Sequence, residues 1–188
     1  MGHGQDDRRG QAGTGNAVTG LLAPTVTVRP VSVRLADYAD AADAARVVAL
    51  LDSYARDPMG GGQGLADEVR ERLVSGLASH PGAFSLLAFA GEEAVGLANC
   101  ITGFSTFAAR PLVNIHDMAV LPGQRGLGIG RALMLAVEAE AKARGACKIT
   151  LEVLSGNDAA KGLYVALGYG DYALDPQAGT ALFWEKKL

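Results

Sequence analysis

Apolar and polar residues alternate along residues 26–33, a run rich in β-branched side chains that predicts the first strand. Two helices are predicted next, at residues 37–56 and 65–79, because apolar residues recur there every three or four positions. Residues 57–64 are rich in glycine and predict a mobile loop between them. Two apolar segments, residues 84–90 and 94–104, are joined by Gly-Glu-Glu and predict a β-hairpin.

Strands and helices alternate in the second half of the chain. A connection at residues 105–111 leads into a strand at 113–121, and a glycine turn then opens a helix at 129–144. A further strand is predicted at residues 147–154, followed by a short helix at 158–167 and two last strands near 169–173 and 180–186. One crossover joins parallel strands, which predicts an α+β fold with a mixed sheet and helices on both faces.

Composition indicates one globular domain. Residues 1–24 are rich in Gly, Gln, Asp and Arg and predict a disordered leader, so the predicted single domain spans residues 25–188. A net charge of −3 argues against nucleic-acid and anionic membrane partners. The chain has no apolar stretch of membrane-spanning length and no secretory signal, which favours the cytoplasm. Cys100 and Cys147 lie in apolar runs and are expected to be reduced thiols.

The candidate chemistry centres on residues 120–131, Val-Leu-Pro-Gly-Gln-Arg-Gly-Leu-Gly-Ile-Gly-Arg. A strand ends here, the chain turns through three alternate glycines, and a helix begins. Backbone N–H groups and the positive end of a helix dipole then converge on one point, which predicts a phosphate or pyrophosphate site. Glycine lets the backbone close on an anion, and Arg125 and Arg131 can add charge-assisted hydrogen bonds.

This turn has three other interpretations. A P-loop needs Gly-x-x-x-x-Gly-Lys-Ser/Thr, which the sequence lacks. A dinucleotide-binding unit would explain the strand, turn, helix and strand, with Glu152 as its ribose ligand. However, Arg131 stands in place of the third glycine, and too few residues follow for the rest of that fold. A purely structural turn is the third possibility, although one glycine normally suffices for a turn.

The residues of this turn carry a family resemblance. Arg125-Gly-Leu-Gly-Ile-Gly130 matches the Arg/Gln-x-x-Gly-x-Gly/Ala signature of the GNAT superfamily of acetyl-CoA-dependent N-acetyltransferases. Residues 117–122 resemble that family's fourth strand, and residues 151–158 and 162–169 resemble its fifth strand and the helix after it. The resemblance is strong over residues 114–169 and weak elsewhere, where such enzymes hold different acceptors. It implies a mostly antiparallel sheet that splays between strands four and five.

The resemblance also implies acetyl-CoA as co-substrate. The pantetheine arm would pair with strand four at Met118, Ala119 and Val120. The pyrophosphate would lie on the turn, whose residues are Arg125, Gly126, Leu127, Gly128, Ile129, Gly130 and Arg131. Asn157 would contact the pantetheine or shape the splay, although a simple helix cap is an equally good interpretation. No metal is expected, because the three histidines have no ligand partners at zinc spacing.

Transfer of an acetyl group to an amine needs a neutral amine, a donor for the oxyanion and a proton for the departing thiolate. Tyr164 is the candidate proton donor, because it lies two helical turns after Asn157 and a phenol stays protonated near neutral pH. A tyrosine that merely packs in the core is the alternative. A backbone N–H near Val120 is the candidate oxyanion donor.

Glu152 is the first candidate for the general base, since some family members use a glutamate at this position. His116 and Asp117 are rivals, expected on opposite faces of strand four, and either could be structural. The acceptor site is expected under the loop at residues 56–64 and the connection at residues 104–110. Its candidate residues are Tyr54, Asp57, Phe104 and Phe107.

The sequence therefore predicts an N-acetyltransferase that acts on a primary amine, in a small molecule or a peptide, by direct attack in a ternary complex. The alternative from another class is a non-catalytic sensor or interaction module that binds acyl-CoA. The last predicted strand could also pair across a homodimer.

Overall fold

The computed structural model describes Met1, residues 30–172, Gln177, Gly179 and residues 181–188. Within this part of the chain, five strands form one sheet in the order β1-β2-β3-β4-β5. Neighbouring strands are antiparallel except for β4 and β5, which are parallel. The strands are β1 (Val31–Leu35), β2 (Ala83–Ala90), β3 (Glu93–Ser105), β4 (Arg110–Val120) and β5 (Ile149–Leu151). The predicted mixed, mostly antiparallel sheet is confirmed.

Helices cover both faces of this sheet, as predicted. The helices are α1 (Ala41–Arg56), α2 (Asp67–Ser79), α3 (Ile129–Ala143) and α4 (Asp158–Ala166). Val47 and Leu50 of α1 pack with Leu97 and Ala119 on one face, where α2 also contributes. α3 and α4 pack on the other face, around the fully buried Leu133. Two short 3-10 turns, Pro58–Gly60 and Pro122–Gln124, lie in the connections after α1 and β4.

Capping groups decide where several elements begin and end. Asp40 accepts a hydrogen bond from the Asp43 N–H at 2.8 Å, which starts α1 at residue 41 rather than at 37. Gly168, with φ +87°, ends α4, and the Tyr169 N–H donates to the Tyr164 carbonyl at 3.0 Å. Tyr169 then packs on the core. The strand predicted from residue 169 is therefore wrong for residues 169–172, since this apolar residue belongs to a helix cap.

Other predicted boundaries also change. The last predicted strand is wrong for residues 181–186, which are exposed and not in a strand. A strand needs a hydrogen-bonding partner along its length, and β5 is only three residues long rather than the predicted eight. Residues 26–29 of the first predicted strand, residues 173 and 180 and the leader beyond Met1 lie outside the described residues. The domain boundary predicted at residue 25 lies there too.

A β-bulge in β4 sets which side chains reach each face. Cys100 pairs with Ile115 and Asn99 pairs with Asp117, so His116 is the extra residue. Ile115 and Met118 consequently both pack on the α3 side, while Ala119 packs on the α1 side. The strict alternation expected along strand four is wrong here, because a bulge shifts the alternation by one residue.

β4 and β5 separate soon after they pair. The paired residues of β4 are Val113, Asn114 and Ile115, opposite Ile149 to Leu151 of β5. β4 continues to Val120 without β5 beside it, so among the described residues no strand pairs with this edge from residue 116 onward, and the edge is called open here. The predicted splay is therefore confirmed.

Two features of the described residues bear on the class of protein. No helix there is long and apolar enough to cross a membrane. Cys100 is buried, Cys147 is half-buried, and both are free thiols.

Candidate active site

A cleft of about 420 Å³ opens at the splayed end of β4. Its floor is the end of β4, its walls are the C-terminal half of α1 and one face of α4, and the glycine turn closes one end. The lining residues predicted from the sequence are Tyr54, Asp57, Met118, Ala119, Val120, Arg125, Gly126, Gly128, Gly130, Arg131, Asn157 and Tyr164. The structure thus brings most of the predicted site residues to one cleft.

The structure requires glycine at positions of this turn for two different reasons. Gly126 and Gly128 have φ values of +79° and +82°, and a Cβ on either would meet no atom within 4 Å. Backbone conformation is what demands glycine there. At Gly130 a Cβ would lie 3.1 Å from Leu163 Cδ2, so this glycine lets α4 approach α3 closely. Gly128 caps α3 without a side-chain hydrogen bond, which leaves the first-turn N–H groups of α3 available to an anion.

The two arginines of the turn differ in whether their guanidinium groups are already paired within the protein. Arg125 donates through Nη2 to Asp57 Oδ2 at 2.7 Å and through Nε to the Val120 carbonyl at 3.1 Å. Arg131 is exposed at the cleft and has no hydrogen bond or ion pair with another described residue. Of these two arginines, Arg131 therefore presents the free guanidinium to an anion in the cleft.

Asp57 holds the loop after α1 in place. Besides its ion pair with Arg125, it accepts the Met59 N–H at Oδ1 at 2.9 Å. The guanidinium of Arg125 lowers the pKa of Asp57. The acceptor-binding role predicted for this carboxylate does not fit the geometry, because its charge is already paired within the protein.

Tyr164 faces the free edge of β4 across the cleft. Its hydroxyl points at Met118 Sδ at 4.0 Å, and its ring lies 6.0 Å from that of Tyr169. Burial raises the pKa of Tyr164, and the nearby Tyr54 adds to the effect. The phenol is therefore protonated at neutral pH and able to donate. Asn157 Oδ1 accepts the Ala160 N–H at 3.2 Å, so the helix-cap interpretation of Asn157 is confirmed.

The three candidate bases lie outside the residues that line this cleft. Glu152 follows the end of β5 and is exposed, with both carboxylate oxygens 3.4 Å from Asn114 Nδ2. His116 is exposed at the bulge. Asp117 is half-buried and accepts a hydrogen bond from Asn99 Nδ2 at 3.0 Å. The structure gives none of the three a hydrogen bond to Tyr164.

Four other predicted site residues are not among those that line the cleft. Phe104 pairs with Pro111 while Gly96 pairs with Val120, so an antiparallel register puts the β3–β4 connection at the far end of β4 from the cleft. Phe104 and Phe107 are exposed there, at 63% and 104%, and do not line the cleft. Leu127 is exposed, and the Ile129 side chain is buried in the core, so both offer only backbone groups to the turn.

Sequence reasoning missed Asn99, although a single amide inside the apolar run at residues 94–104 was a signal. Among the residues that the structure describes, no group of three or more His, Cys, Asp or Glu side chains could hold a metal ion.

A sheet splayed beside a glycine turn, with a tyrosine facing the open strand, defines an acyltransferase fold of the kind predicted. The model of the acetyltransferase (GNAT) family matches residues 47–169. The chain belongs to that family.

Curated relatives carry acetyltransferase names. The chain is 31% identical over 151 residues to mycothiol acetyltransferase of Gordonia bronchialis, a match that covers 79% of this chain and 47% of the relative. It is 38% identical over 100 residues to streptothricin acetyltransferase of Streptomyces lavendulae, covering 50% of this chain and 53% of the relative. The chain thus spans about half the length of the curated relatives it matches.

Solved structures of low identity share the fold. An aminoglycoside acetyltransferase from an uncultured soil metagenomic sample, in complex with trehalose, has a TM-score of 0.66 at 16% identity, covering 84% of this chain and 97% of that one. The ribosomal-protein-alanine N-acetyltransferase of Brucella melitensis biovar Abortus 2308 has a TM-score of 0.59 at 19% identity, covering 78% and 99%.

Proposed function

We propose that this protein transfers the acetyl group of acetyl-CoA to a primary amine by direct attack in a ternary complex. The observation that carries the proposal is the position of Tyr164. Its hydroxyl faces Met118 on the open edge of β4, in the same cleft as the glycine turn. One extended ligand can therefore contact the anion-binding turn at one end and the phenol at the other.

The residues present fit coenzyme A. The backbone N–H groups of the turn, including those of Leu127 and Ile129, and the free guanidinium of Arg131 would hold the pyrophosphate. Arg125 would join them only by giving up Asp57. On the open edge of β4, the backbone groups of Met118 and Val120 would serve the amide groups of the pantetheine arm, whereas those of Ala119 point towards Leu97 of β3. The Val120 carbonyl would become available only if Arg125 released it. Acetyl-CoA, when bound, supplies an activated acyl group as a thioester.

The chain's own groups would manage the protons. A backbone N–H of β4 near Val120 would donate to the oxyanion that develops on the acetyl carbonyl. Tyr164 would give its proton to the sulfur as the C–S bond breaks, and it would regain the proton that the amine loses as the C–N bond forms. The products are the N-acetyl amine and the CoA thiol. Glu152, Asp117 and His116 are the candidates that would first convert an ammonium acceptor to its neutral form.

A small-molecule amine is the acceptor class that the relatives favour. Two curated relatives are named for mycothiol and streptothricin, and a structural neighbour is an aminoglycoside acetyltransferase. The alternative function, an acyl-CoA sensor without turnover, would not need a donor at the reacting end of the cleft, so the orientation of Tyr164 argues against it.

Ligand-dependent melting and a turnover assay test the proposal together. Acetyl-CoA and CoA should raise the melting temperature of the wild type while NADH should not, and the rise should vanish in Gly128→Glu, whose carboxylate would repel the pyrophosphate. Release of CoA thiol should then be measured with streptothricin, sisomicin, spermidine and an alanyl peptide as acceptors. Tyr164→Phe should keep the stabilisation but lose about 10²-fold in rate.

Tyr172→Phe is the matched control, because Tyr172 is exposed and does not line the cleft. Stabilisation by acetyl-CoA without transfer to any amine would support the sensor. No stabilisation by either CoA ligand would overturn both functions.

A further inference from the structure

A chain of hydrogen-bonded polar side chains crosses the α1 side of the sheet and ends at Asp117. The Tyr38 hydroxyl lies 2.8 Å from Ser85 Oγ, and Ser85 Oγ donates to Asn99 Oδ1 at 2.6 Å. Asn99 Nδ2 then donates to Asp117 Oδ2 at 3.0 Å. Ser85 and Asn99 are only 1% and 3% exposed, so these groups depend on one another for hydrogen bonds.

The donor and acceptor of each hydrogen bond in this series follow from the side chains that form it. Ser85 has a single hydroxyl hydrogen, which goes to Asn99, so Tyr38 must donate to Ser85. Asn99 uses its oxygen for Ser85, which turns its NH2 group towards the carboxylate. If the Asn99 amide were flipped, its oxygen would lie against a carboxylate oxygen of Asp117, and the two would repel each other. Every donor therefore points towards Asp117, so this series of hydrogen bonds orients the carboxylate. It does not relay a proton to Asp117, because the amide N–H of Asn99 is not acidic.

Asp117 has no cation within the described structure. Asp43, Asp52 and Asp57 each form an ion pair with arginine, whereas no described Lys, Arg or His lies within ion-pair distance of Asp117. A half-buried carboxylate without a counter-charge is costly, which is why such groups are usually paired. Asp117 does not itself line the cleft, but it lies on the same α1 side of β4 as Ala119, two residues on, which does line it. The charge of Asp117 also adds, after burial, to the raised pKa of Tyr54 on the α1 wall of the cleft.

We propose that Asp117 binds the cationic amino group of the acceptor, and that Asn99, Ser85 and Tyr38 are positioning residues that hold its carboxylate. The inference rests on the proposed function and narrows its substrate class to amines that are ammonium ions at neutral pH, such as aliphatic amines. Arylamines, which are neutral there, fall outside it. Asp57 is not an equivalent site, since Arg125 already neutralises it, and the exposed Glu152 is solvated.

Steady-state kinetics test the inference, using the acceptor that the wild type acetylates fastest among streptothricin, sisomicin and spermidine. Asp117→Asn should raise the acceptor KM by about tenfold or more, the effect of losing a charged hydrogen bond. Ser85→Ala should raise it by about fivefold and Tyr38→Phe by about twofold, within the range for neutral hydrogen bonds. The KM for acetyl-CoA should not change in any of the three.

Thr102→Val is the matched control. The Thr102 hydroxyl is also buried in β3, but it has no hydrogen-bond partner in the described structure and is not part of the chain to Asp117. This variant should leave the acceptor KM at the wild-type value. Tyr38 lies at the outer end of the chain, so Tyr38→Phe carries the test of positioning if Ser85→Ala does not fold.

The outcomes separate this inference from the proposed function. A wild type that binds acetyl-CoA but acetylates neither these three amines nor the alanyl peptide overturns both. Turnover with an acceptor KM in Asp117→Asn within twofold of the wild type overturns the inference alone. If Asp117→Asn raises the acceptor KM but Tyr38→Phe behaves like Thr102→Val, the positioning role is overturned and Asp117 remains the acceptor ligand.

Discussion

The two arginines of the glycine turn should contribute unequally to acetyl-CoA binding. Arg131 is unpaired at the cleft within the described structure, whereas Arg125 is held by Asp57 and by the Val120 carbonyl. The test compares Arg131→Gln, Arg125→Gln and Asp57→Asn. Glutamine keeps a polar side chain that can still donate a hydrogen bond, but it is shorter than arginine and carries no charge.

The expected magnitudes follow from these contacts. A hydrogen bond to a charged group contributes about 1.5–3 kcal/mol, and the exposure of Arg131 favours the lower end, so Arg131→Gln should weaken binding about tenfold. Arg125 must exchange one ionic partner for another, so its net contribution is smaller, and Arg125→Gln should cost about threefold or less. Asp57→Asn frees Arg125 and should leave binding unchanged or tighten it by up to about fivefold.

Isothermal titration calorimetry with acetyl-CoA at low and high salt measures these differences. The loss in Arg131→Gln should shrink at high salt, because exposed charges are screened. The assignment is refuted if Arg125→Gln weakens binding as much as Arg131→Gln does. It is also refuted if Asp57→Asn weakens binding, since that would make the ion pair part of the binding-competent state.

Three further predictions concern stability. Arg34 holds the pKa of Asp43 well below its usual range, so the ionised pair stabilises the fold above pH about 4 and that contribution is lost as the pH falls further. Asp43→Asn should therefore lower the free energy of unfolding by about 3 kcal/mol at pH 7, measured by urea unfolding. The loss relative to the wild type should be smaller at pH 3, and equal losses at both pH values would contradict this. Gly128→Ala should lower the free energy of unfolding by about 1 kcal/mol, measured by thermal unfolding. The cost comes from the backbone φ of +82°, since a Cβ at this position would have open space, and a loss above about 3 kcal/mol would indicate a clash instead. Leu133→Ala, at a fully buried position, should cost about 3 kcal/mol, and a loss under about 1 kcal/mol would mean that the core closes around the cavity.

Local signals made the centre of the fold predictable. The β4 strand, the glycine turn and α3 follow one another without a gap, and each carries its own pattern. The end of α4 was also predictable from Gly168. The residue after it, Tyr169, is wrongly predicted to start a strand, because an apolar residue after a glycine fits both a strand and a helix cap. Only the contact with the core distinguishes the two.

Long-range pairs were beyond single-sequence reasoning. Asp57 and Arg125 are 68 residues apart, and nothing local to either one indicates the other. The pairing of Asn99 with Asp117 is also non-local, although the bulge on which it depends leaves a mark in the sequence, because the polar residues His116 and Asp117 interrupt the apolar alternation of β4. The position of Phe104, in contrast, was within reach. In an antiparallel hairpin the end of one strand lies beside the start of the next, so a residue near the connection cannot reach the end of β4.

The bulge is what allows one strand to serve both proposed ligands. Ile115 and Met118 face α3, although they are three residues apart, and between them Asp117 is left on the α1 side with Asn99. With strict alternation, Asp117 would share the face of Ile115 and place a carboxylate in the apolar core beneath α3, at a cost of several kcal/mol. The shift of one residue removes that conflict. It puts the Met118 side chain next to Tyr164 and leaves the carboxylate of Asp117 on the α1 side for the proposed acceptor, so both proposed sites depend on the register of β4 at His116.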